Sequence, residues 1–277
     1  MASTMLFNPQ RFDCSERDPV LHELVTKTVA FFEERGKKRL KEADHAREWY
    51  DDYLAFQREA GVFATLLTPA GEGDGSTRWD TARNAVYSEV LAFYGLAYWY
   101  VWQVSILGLG PIWMSANAEV KAQTARFLRE GGIFAFGLSE KEHGADIYST
   151  DMALVPDGDG KWLANGSKYY IGNGHKAALV STLGKYSDSG DFVFFAVGTQ
   201  HEKYSYLKNT VNSQSTVAEY HLNDYPIVEG DILHKGRDAW DAALNTINVG
   251  KYNLGWASIG MCEHALYEAV THAAHRI

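Results

Sequence analysis

Several features that the 277-residue chain lacks narrow the kind of protein it can be. Cysteine occurs only at Cys14 and Cys262, far apart and without metal-ligand spacing, so no disulfide framework is indicated. No basic region followed by an apolar stretch is visible at the N-terminus, as a signal peptide would need. The segment richest in apolar residues, 91–113, contains three glycines, a proline and Gln103, which argues against a membrane span. We therefore expect a soluble protein in the reducing environment of the cytoplasm.

The chain also has fewer basic than acidic residues, 26 Lys and Arg against 35 Asp and Glu. The formal net charge is −9 and the sequence pI is about 5.6, so a nucleic-acid polyanion would be repelled on average. The densest basic run, 35–41, is flanked by glutamates and an aspartate, and we interpret it as a solvated helix end. The histidines at 264, 272 and 275 lack the spacing of a metal-binding helix. Nucleic-acid binding, membrane insertion and a metal site are therefore not expected.

The residue patterns divide the chain into three parts. Residues 1–132 show helical periodicity, with Asp18-Pro19 and Asn117 as helix starts, and are predicted to form an N-terminal α-helical bundle. Residues 133–236 contain short β-branched or aromatic runs with turn residues between them, including a hairpin signal at 157–160. They predict a central antiparallel β-barrel or sandwich. Helical periodicity returns in 237–277, which we expect to begin a C-terminal helical bundle, giving an α+β fold class.

The C-terminal helix has no capping residue after Ile277, although the last carbonyl groups of a helix need partners. We therefore expect the chain to be incomplete, either as a truncated product or as one subunit of a split protein.

Two segments resemble signatures of one known protein family. Residues 134–146, FAFGLSEKEHGAD, resemble the family's first-strand signature, and residues 163–174, LANGSKYYIGNG, resemble its second. Residues 107–111, LGLGP, and the helix 251–276 support the match. The order and spacing hold over nearly the whole chain. The sequence is thus identified as similar to the acyl-CoA dehydrogenases, a family of flavoproteins whose plan is α–β–α.

The resemblance implies an FAD site at these segments. A flavin ring needs backbone and side-chain polar groups along its edge, which strand ends can supply. By the match, Phe136, Leu138 and Ser139 approach the ring, with Ser139 donating a hydroxyl hydrogen bond where the family usually has threonine. Tyr170 takes the place of a tryptophan that stacks beside the ring. Gly172 stands where the family usually has a threonine whose hydroxyl reaches the flavin, so one hydrogen bond of about 1 kcal/mol is lost.

The resemblance also implies where the acyl-CoA substrate lies. Ala145 replaces a serine near the thiol end of CoA, and Tyr100 and Gln103 belong to the segment 98–103 that lines the floor of the acyl pocket. Interhelical core packing explains that segment equally well. As a substrate hypothesis, its bulky rings shorten the pocket or shape it for a cyclic acyl group. Lys251 matches a basic residue of the family's first C-terminal helix.

No catalytic base is identified in the sequence. The family reaction needs a carboxylate that removes the proton next to the thioester. A minority of members carry it just before the residue matched by Lys251, but Gly250 stands there, so we expect the base beyond Ile277. The chain alone is accordingly expected to bind FAD weakly and to lack dehydrogenase activity.

The implied function is α,β-dehydrogenation of an acyl-CoA thioester, as part of fatty acid metabolism, with an electron-transfer flavoprotein or oxygen as acceptor. Two alternatives remain open: an oxidase or flavin monooxygenase of the same fold, and a non-catalytic subunit or scaffold that has lost the cofactor. A homo-oligomer, dimer or tetramer, or a second chain that completes the fold is the expected assembly.

Overall fold

A computed structural model describes residues 8–276 of the chain. These residues form seven α-helices and eight β-strands. The helices are α1 (Pro19–Ala46), α2 (Asp51–Glu59), α3 (Val62–Leu67), α4 (Thr81–Tyr94), α5 (Leu96–Met114), α6 (Ala118–Arg129) and α7 (Gly236–Ala274). The strands are β1 (Phe134–Gly137), β2 (Ala153–Pro156), β3 (Lys161–Gly172), β4 (Leu179–Tyr186), β5 (Phe192–Val197), β6 (Tyr204–Asn209), β7 (Val217–Val228) and β8 (Ile232–Lys235).

The helix starts predicted from the sequence are confirmed. The Asp18 carboxylate accepts a hydrogen bond from the Leu21 backbone N–H at 3.0 Å and is further held by Arg83, whose Nε lies 2.6 Å away. The Asn117 side chain accepts from the Val120 N–H at 3.1 Å. Each cap satisfies an N–H group that the first helical turn leaves without a partner. The α+β class is confirmed, whereas the division into domains at 132/133 and 236/237 stays a prediction.

The sheet corrects the predicted antiparallel barrel. Its strand order is β6-β7-β3-β2-β4-β5-β8, it does not close, and β1 pairs with β4 off this path. Strand β4 is parallel to β1 and to β2, and antiparallel to β5. The prediction assumed that parallel pairs need a helical crossover, but here the β2–β3 hairpin itself carries the chain from β1 back to β4. The sequence reading also missed β6, an exposed edge strand, and the four-residue β8.

Helix α5 joins the helices to the sheet. A Cβ added to Gly108 would lie 2.5 Å from the Ala135 backbone nitrogen, so the absence of a side chain lets α5 pack directly on β1. The Ser181 hydroxyl of β4 donates to the Gly108 carbonyl oxygen at 2.6 Å. The core formed by α1–α5 continues through this contact into β1, β4 and β5. No helix within residues 8–276 has both the length and the hydropathy that crossing a membrane requires.

Helix α7 packs on α4 and α5 and carries two surfaces of different character. Toward the other helices it presents small buried residues, among them Gly250, Ala257 and Gly260. Elsewhere it carries exposed apolar side chains: Leu244, Val249, Tyr252, Leu254, Ile259, Met261, Leu266 and Val270. Exposed apolar side chains in this number on one helix are typical of an interaction surface.

The α4–α7 contact contains two buried carboxyl groups. Glu89 of α4 and Glu263 of α7 are 9% and 6% exposed, and neither forms an ion pair with any of the described residues. Burial raises the pKa of Glu89 to about 8, with the Glu263 charge acting in the same direction. Burial also raises the pKa of Glu263. The pair therefore shares a proton at neutral pH, because two adjacent carboxylates without a cation repel each other.

This pair predicts that the free energy of unfolding falls as the pH rises. A carboxyl whose pKa is higher in the folded chain than its ordinary 4.5 holds a proton that unfolding releases, so the folded state loses stability between about pH 5 and pH 8. The fall should exceed about 1 kcal/mol, the equivalent of one pKa unit. Glu89→Gln should flatten the dependence in urea unfolding measured at each pH, whereas exposed Glu142→Gln should leave it unchanged. An unaltered slope in Glu89→Gln would contradict the shared proton.

Candidate functional site

The ends of β1 and β3, which carry the two signature segments, lie side by side. The Tyr169 N–H donates to the Ser139 carbonyl oxygen at 2.9 Å, and the Ser139 hydroxyl donates to the Tyr169 carbonyl oxygen at 2.7 Å. The Lys168 ammonium donates to the Leu138 carbonyl oxygen at 3.0 Å. The structure therefore places the segment that contains Phe136, Leu138 and Ser139 beside the segment that contains Tyr170 and Gly172.

A buried ion pair fastens this junction. Lys168 is fully buried and its Nζ lies 2.7 Å from Glu140 Oε1 and 3.0 Å from Thr150 Oγ1. The Glu140 carboxylate also accepts from the Thr150 hydroxyl and from the N–H groups of Asp151 and Met152 at 2.8 and 3.1 Å. The network ties the residues after β1 to β3 and to the start of β2. Sequence reasoning gave neither Lys168 nor Glu140 a role, although each stands inside one of the two signature segments.

The electrostatics of this pair follow from its burial. Burial lowers the pKa of Lys168 to about 8, although the Glu140 charge opposes the shift. For Glu140, burial acts to raise the pKa, but the Lys168 charge and the hydrogen bonds from Lys168, Thr150 and Asp151 outweigh it and lower the pKa. Both groups are therefore charged at neutral pH, and each neutralises the other inside the protein.

Strand β3 ends in an irregular stretch that turns one ring outward. A register shift against β7 lies between Lys168 and Ile171, and Tyr170 within it adopts φ +69°. This backbone conformation is uncommon for a bulky residue, and contacts from the surrounding structure must hold it. Asn173, itself at φ +60°, provides such contacts, because its Nδ2 donates to the carbonyl oxygens of Val101 and Phe134 at 3.2 and 3.0 Å. As a result the Tyr170 side chain is 56% exposed beside the strand ends.

Tyr100 of α5 lies directly on Gly172. A Cβ added to Gly172 would be 2.6 Å from the Tyr100 hydroxyl oxygen and 2.7 Å from Val104 Cγ2. Burial raises the pKa of Tyr100 to about 12, with a smaller contribution from Tyr170. The resemblance had placed Tyr100 with the substrate and Gly172 with the cofactor, and the structure brings the two into contact.

The other residues predicted to bind substrate lie at two further places. Gln103, one turn after Tyr100 on α5, donates from Nε2 to the Gly250 carbonyl oxygen of α7 at 3.4 Å, and exposed Lys251 follows. Ala145 is exposed on the loop after β1, where His143 Nδ1 lies 3.0 Å from Asp146 Oδ2. Tyr100, Gln103, Gly250 and Gly172 thus form one continuous region, and Ala145 belongs to the loop beside Ser139.

One group of side chains has the composition of a metal site. Potential ligand atoms of Glu140, His143 and Asp151 lie within 4.8 Å of one another. Glu140, however, already neutralises Lys168 and accepts two backbone hydrogen bonds, so it has little charge left to offer a cation. We assign no metal to this group.

Comparison with known proteins shows what the chain is similar to. No family model matches the chain. An acyl-CoA dehydrogenase from Bacillus subtilis (strain 168) is 29% identical over 185 residues, covering 62% of this chain and 47% of the relative. Butyryl-CoA dehydrogenase from Megasphaera elsdenii has a TM-score of 0.83 at 21% identity, covering 93% of this chain and 70% of that one. An acyl-CoA dehydrogenase complexed with FAD from Bacillus anthracis has a TM-score of 0.76 at 21% identity, covering 94% and 44%.

The chain therefore shares the α+β fold of these proteins, with helices packed on an open sheet. The resemblance derived from the two signature segments is confirmed, because the chain is similar in sequence and in fold to acyl-CoA dehydrogenases. It spans about half the length of the curated relative from Bacillus subtilis.

The buried ion pair predicts a large loss of stability on substitution of Lys168. Lys168→Met should lower the free energy of unfolding by about 3–5 kcal/mol at pH 7, because it leaves the Glu140 charge buried without a cation. The control is Lys176→Met, which removes an exposed pair with Asp51 and should change stability by less than about 1 kcal/mol. Urea unfolding measures both, and the double variant Lys168→Met/Glu140→Gln should regain part of the loss. Equal losses in the two single variants would contradict the role of the pair.

Proposed function

We propose that the protein built around this chain is an FAD-dependent oxidoreductase that removes hydrogen from the α and β carbons of an acyl-CoA thioester. The observation that carries the proposal is the pair of hydrogen bonds between Ser139 and Tyr169, which sets the two signature segments side by side next to α5. In this proposal the chain supplies the residues around the flavin ring and one wall of the acyl pocket.

The residues at the strand ends fit an isoalloxazine ring. Such a ring needs polar atoms along its edge and flat apolar groups near its face. The junction of β1 and β3 offers the Ser139 backbone N–H, since the Leu138 N–H and the carbonyl oxygens of both residues already have protein partners, and the exposed Tyr170 ring can stack beside it. Phe136 is half-buried behind them and stacks on Phe194, with ring centroids 5.8 Å apart. FAD bound here would supply hydride acceptance, and Phe136, Leu138, Ser139, Tyr170 and Gly172 would hold its ring.

One detail refines the predicted role of Ser139. Its hydroxyl proton is directed to the Tyr169 carbonyl oxygen, so the side chain holds β1 to β3. In this arrangement the hydroxyl offers a ligand an acceptor lone pair, and the predicted donation to the flavin would require it to leave Tyr169. We therefore propose that Ser139 positions the strand ends first and contacts the cofactor second.

The acyl-CoA is proposed to lie along α5 and α7. Tyr100 and Gln103 face the end of β3 and Gly250, and Lys251 and Ala145 are exposed where a charged, extended CoA could reach them. A carboxylate base is still required, and the group beside Gly250 is the neutral amide of Gln103. We propose that the base belongs to the part of the relatives that this chain does not span. Of the bulky rings of 98–103, Tyr98, Trp99 and Trp102 are buried in the helical core, as the alternative interpretation expected. We propose that Tyr100, the ring that contacts Gly172, favours a short or cyclic acyl group.

The exposed apolar side chains of α7 support a larger assembly. Residues such as Leu254 and Val270, 52% and 64% exposed, need a covering surface. We propose that a second copy of the chain, or further helices of the complete protein, provides it. A cytoplasmic location and an electron-transfer flavoprotein or oxygen as acceptor are part of the same proposal.

Flavin binding to the isolated chain tests the proposal. Titration of flavin fluorescence should show weak binding, with FMN and FAD of similar affinity, because the described residues would hold only the ring. Tyr170→Ala should weaken binding about five-fold or more, as expected from loss of a stacking contact worth about 1 kcal/mol. Tyr206→Ala, an exposed tyrosine on edge strand β6, is the matched control. No quenching with saturating FAD or FMN would refute a flavin site at β1 and β3.

The fate of the electrons separates the dehydrogenase from an oxidase of the same fold. With the complete protein, an acyl-CoA and FAD, a dehydrogenase should reduce an artificial electron carrier much faster than it consumes oxygen. Oxygen consumption at the rate of carrier reduction would favour the oxidase. A complete protein that shows no flavin absorption would favour a scaffold without cofactor.

A further inference from the structure

Helix α5 delivers a hydroxyl group to the end of β3. Tyr100 is half-buried, and its hydroxyl oxygen would lie 2.6 Å from any Cβ at Gly172. Contacts this short do not occur between real side-chain atoms, so a residue larger than glycine at position 172 would have to displace the phenol. Tyr100 and Gly172 therefore form one steric unit, in which the ring occupies the space that the strand leaves empty.

The position of this unit is held from both sides. Asn173, next to Gly172, donates to the carbonyl oxygen of Val101, the residue after Tyr100. Val104, one turn further along α5, would also contact a Cβ at Gly172, at 2.7 Å. These contacts join α5 directly to the end of β3, and they therefore restrict the position of the Tyr100 hydroxyl.

The Tyr100 hydroxyl is chemically ready to donate. Burial keeps the phenol protonated at neutral pH, since it raises the pKa to about 12. Among residues 8–276 it has no protein acceptor. Two other tyrosines of this helical core differ in this respect, because the Tyr53 and Tyr87 hydroxyls lie 3.3 Å apart and Tyr87 lies 3.0 Å from Thr28. The Tyr100 hydroxyl is therefore free to donate to a ligand that brings an acceptor.

We propose that Tyr100 contacts the cofactor and donates its hydroxyl hydrogen bond to the polar edge of the flavin ring at the end of β3. This inference rests on the proposed function, and it assigns to helix α5 the hydroxyl that β3 cannot supply at Gly172. The ring edge carries nitrogen and oxygen acceptors that a phenol can reach in the ring plane. The bulk of the same phenol closes the wall between the flavin and the acyl group, which links cofactor binding to acyl selection.

Removal of the hydroxyl alone tests the assignment. Tyr100→Phe should weaken FAD binding by the chain about five-fold, the equivalent of one hydrogen bond of about 1 kcal/mol, and should shift the visible absorption of the bound flavin. The matched control is Tyr98→Phe, which removes a hydroxyl from a tyrosine on the same helix whose ring packs against Phe32 and Tyr53. Unfolding curves of all variants establish that each is folded at the assay temperature.

A second set of variants tests the steric unit. Tyr100→Ala should weaken binding further than Tyr100→Phe. Tyr100→Ala/Val104→Ala/Gly172→Thr should bind better than Tyr100→Ala/Val104→Ala, since it places a hydroxyl on β3 in space cleared of both neighbouring side chains. Gly172→Thr alone should bind more weakly than the wild type because the two side chains overlap.

The outcomes separate the two proposals. If the wild type binds flavin and Tyr100→Phe binds it with the same affinity and the same flavin absorption, the role of Tyr100 is overturned and the proposed function stands. A triple variant Tyr100→Ala/Val104→Ala/Gly172→Thr that binds no better than Tyr100→Ala/Val104→Ala would likewise overturn it. Absence of flavin binding by the wild-type chain would overturn both.

Discussion

The candidate site depends on one buried ion pair. Lys168 on β3 and Glu140 after β1 lie 2.7 Å apart with almost no exposure to solvent, and Thr150 and two backbone N–H groups complete the shell around the carboxylate. A buried ion pair adds little net stability compared with apolar residues of similar volume. Its geometry is nevertheless restricted, because a buried charge without its partner is strongly destabilising. It therefore specifies how the end of β1 meets β3. The Ser139–Tyr169 hydrogen bonds and the outward turn of Tyr170 follow from that register.

Helix α5 sets the third side of the site by similar means. Its glycine at 108 brings the helix backbone against β1, and Asn173 reaches from the end of β3 to the Val101 and Phe134 carbonyl oxygens. Buried amide and carbonyl groups must be paired, so these contacts hold the helix at a defined height above the strand ends. Tyr100 and Gln103 consequently face two partners, Gly172 on the strand and Gly250 on α7. One short stretch of helix thus joins the predicted cofactor residues to the predicted substrate residues.

Local chemistry made much of this structure predictable. Asp18 and Asn117 are predictable as caps because a side-chain acceptor before an apolar helical stripe can accept a hydrogen bond from a free N–H of the first turn. Strand β3 is predictable from its aromatic run and from the hairpin signal before it. The open sheet was not predicted, since parallel pairing of β4 with β1 and β2 depends on contacts distant in sequence. The edge strand β6 was missed because only Tyr204 of its six residues is buried, and its exposed apolar residues Tyr206 and Leu207 are adjacent and so do not share one face of a strand. The Tyr100–Gly172 contact could not be predicted for the same reason as the parallel pairing: helix and strand meet only in the folded chain.

That contact changes the meaning of the glycine. From the sequence, Gly172 is a lost hydroxyl and an argument for a weakened or abandoned flavin site. In the structure the space above it is filled by a phenol whose hydroxyl has no acceptor among the described residues, and in our proposal this hydroxyl takes the place of the one that the strand lacks. A scaffold that had lost its cofactor would have no reason to keep the exposed Tyr170 ring on a strained backbone, because the strain lowers stability. The strained Tyr170 and the available Tyr100 hydroxyl at the junction of β1, β3 and α5 favour a site that still binds a planar polar ligand.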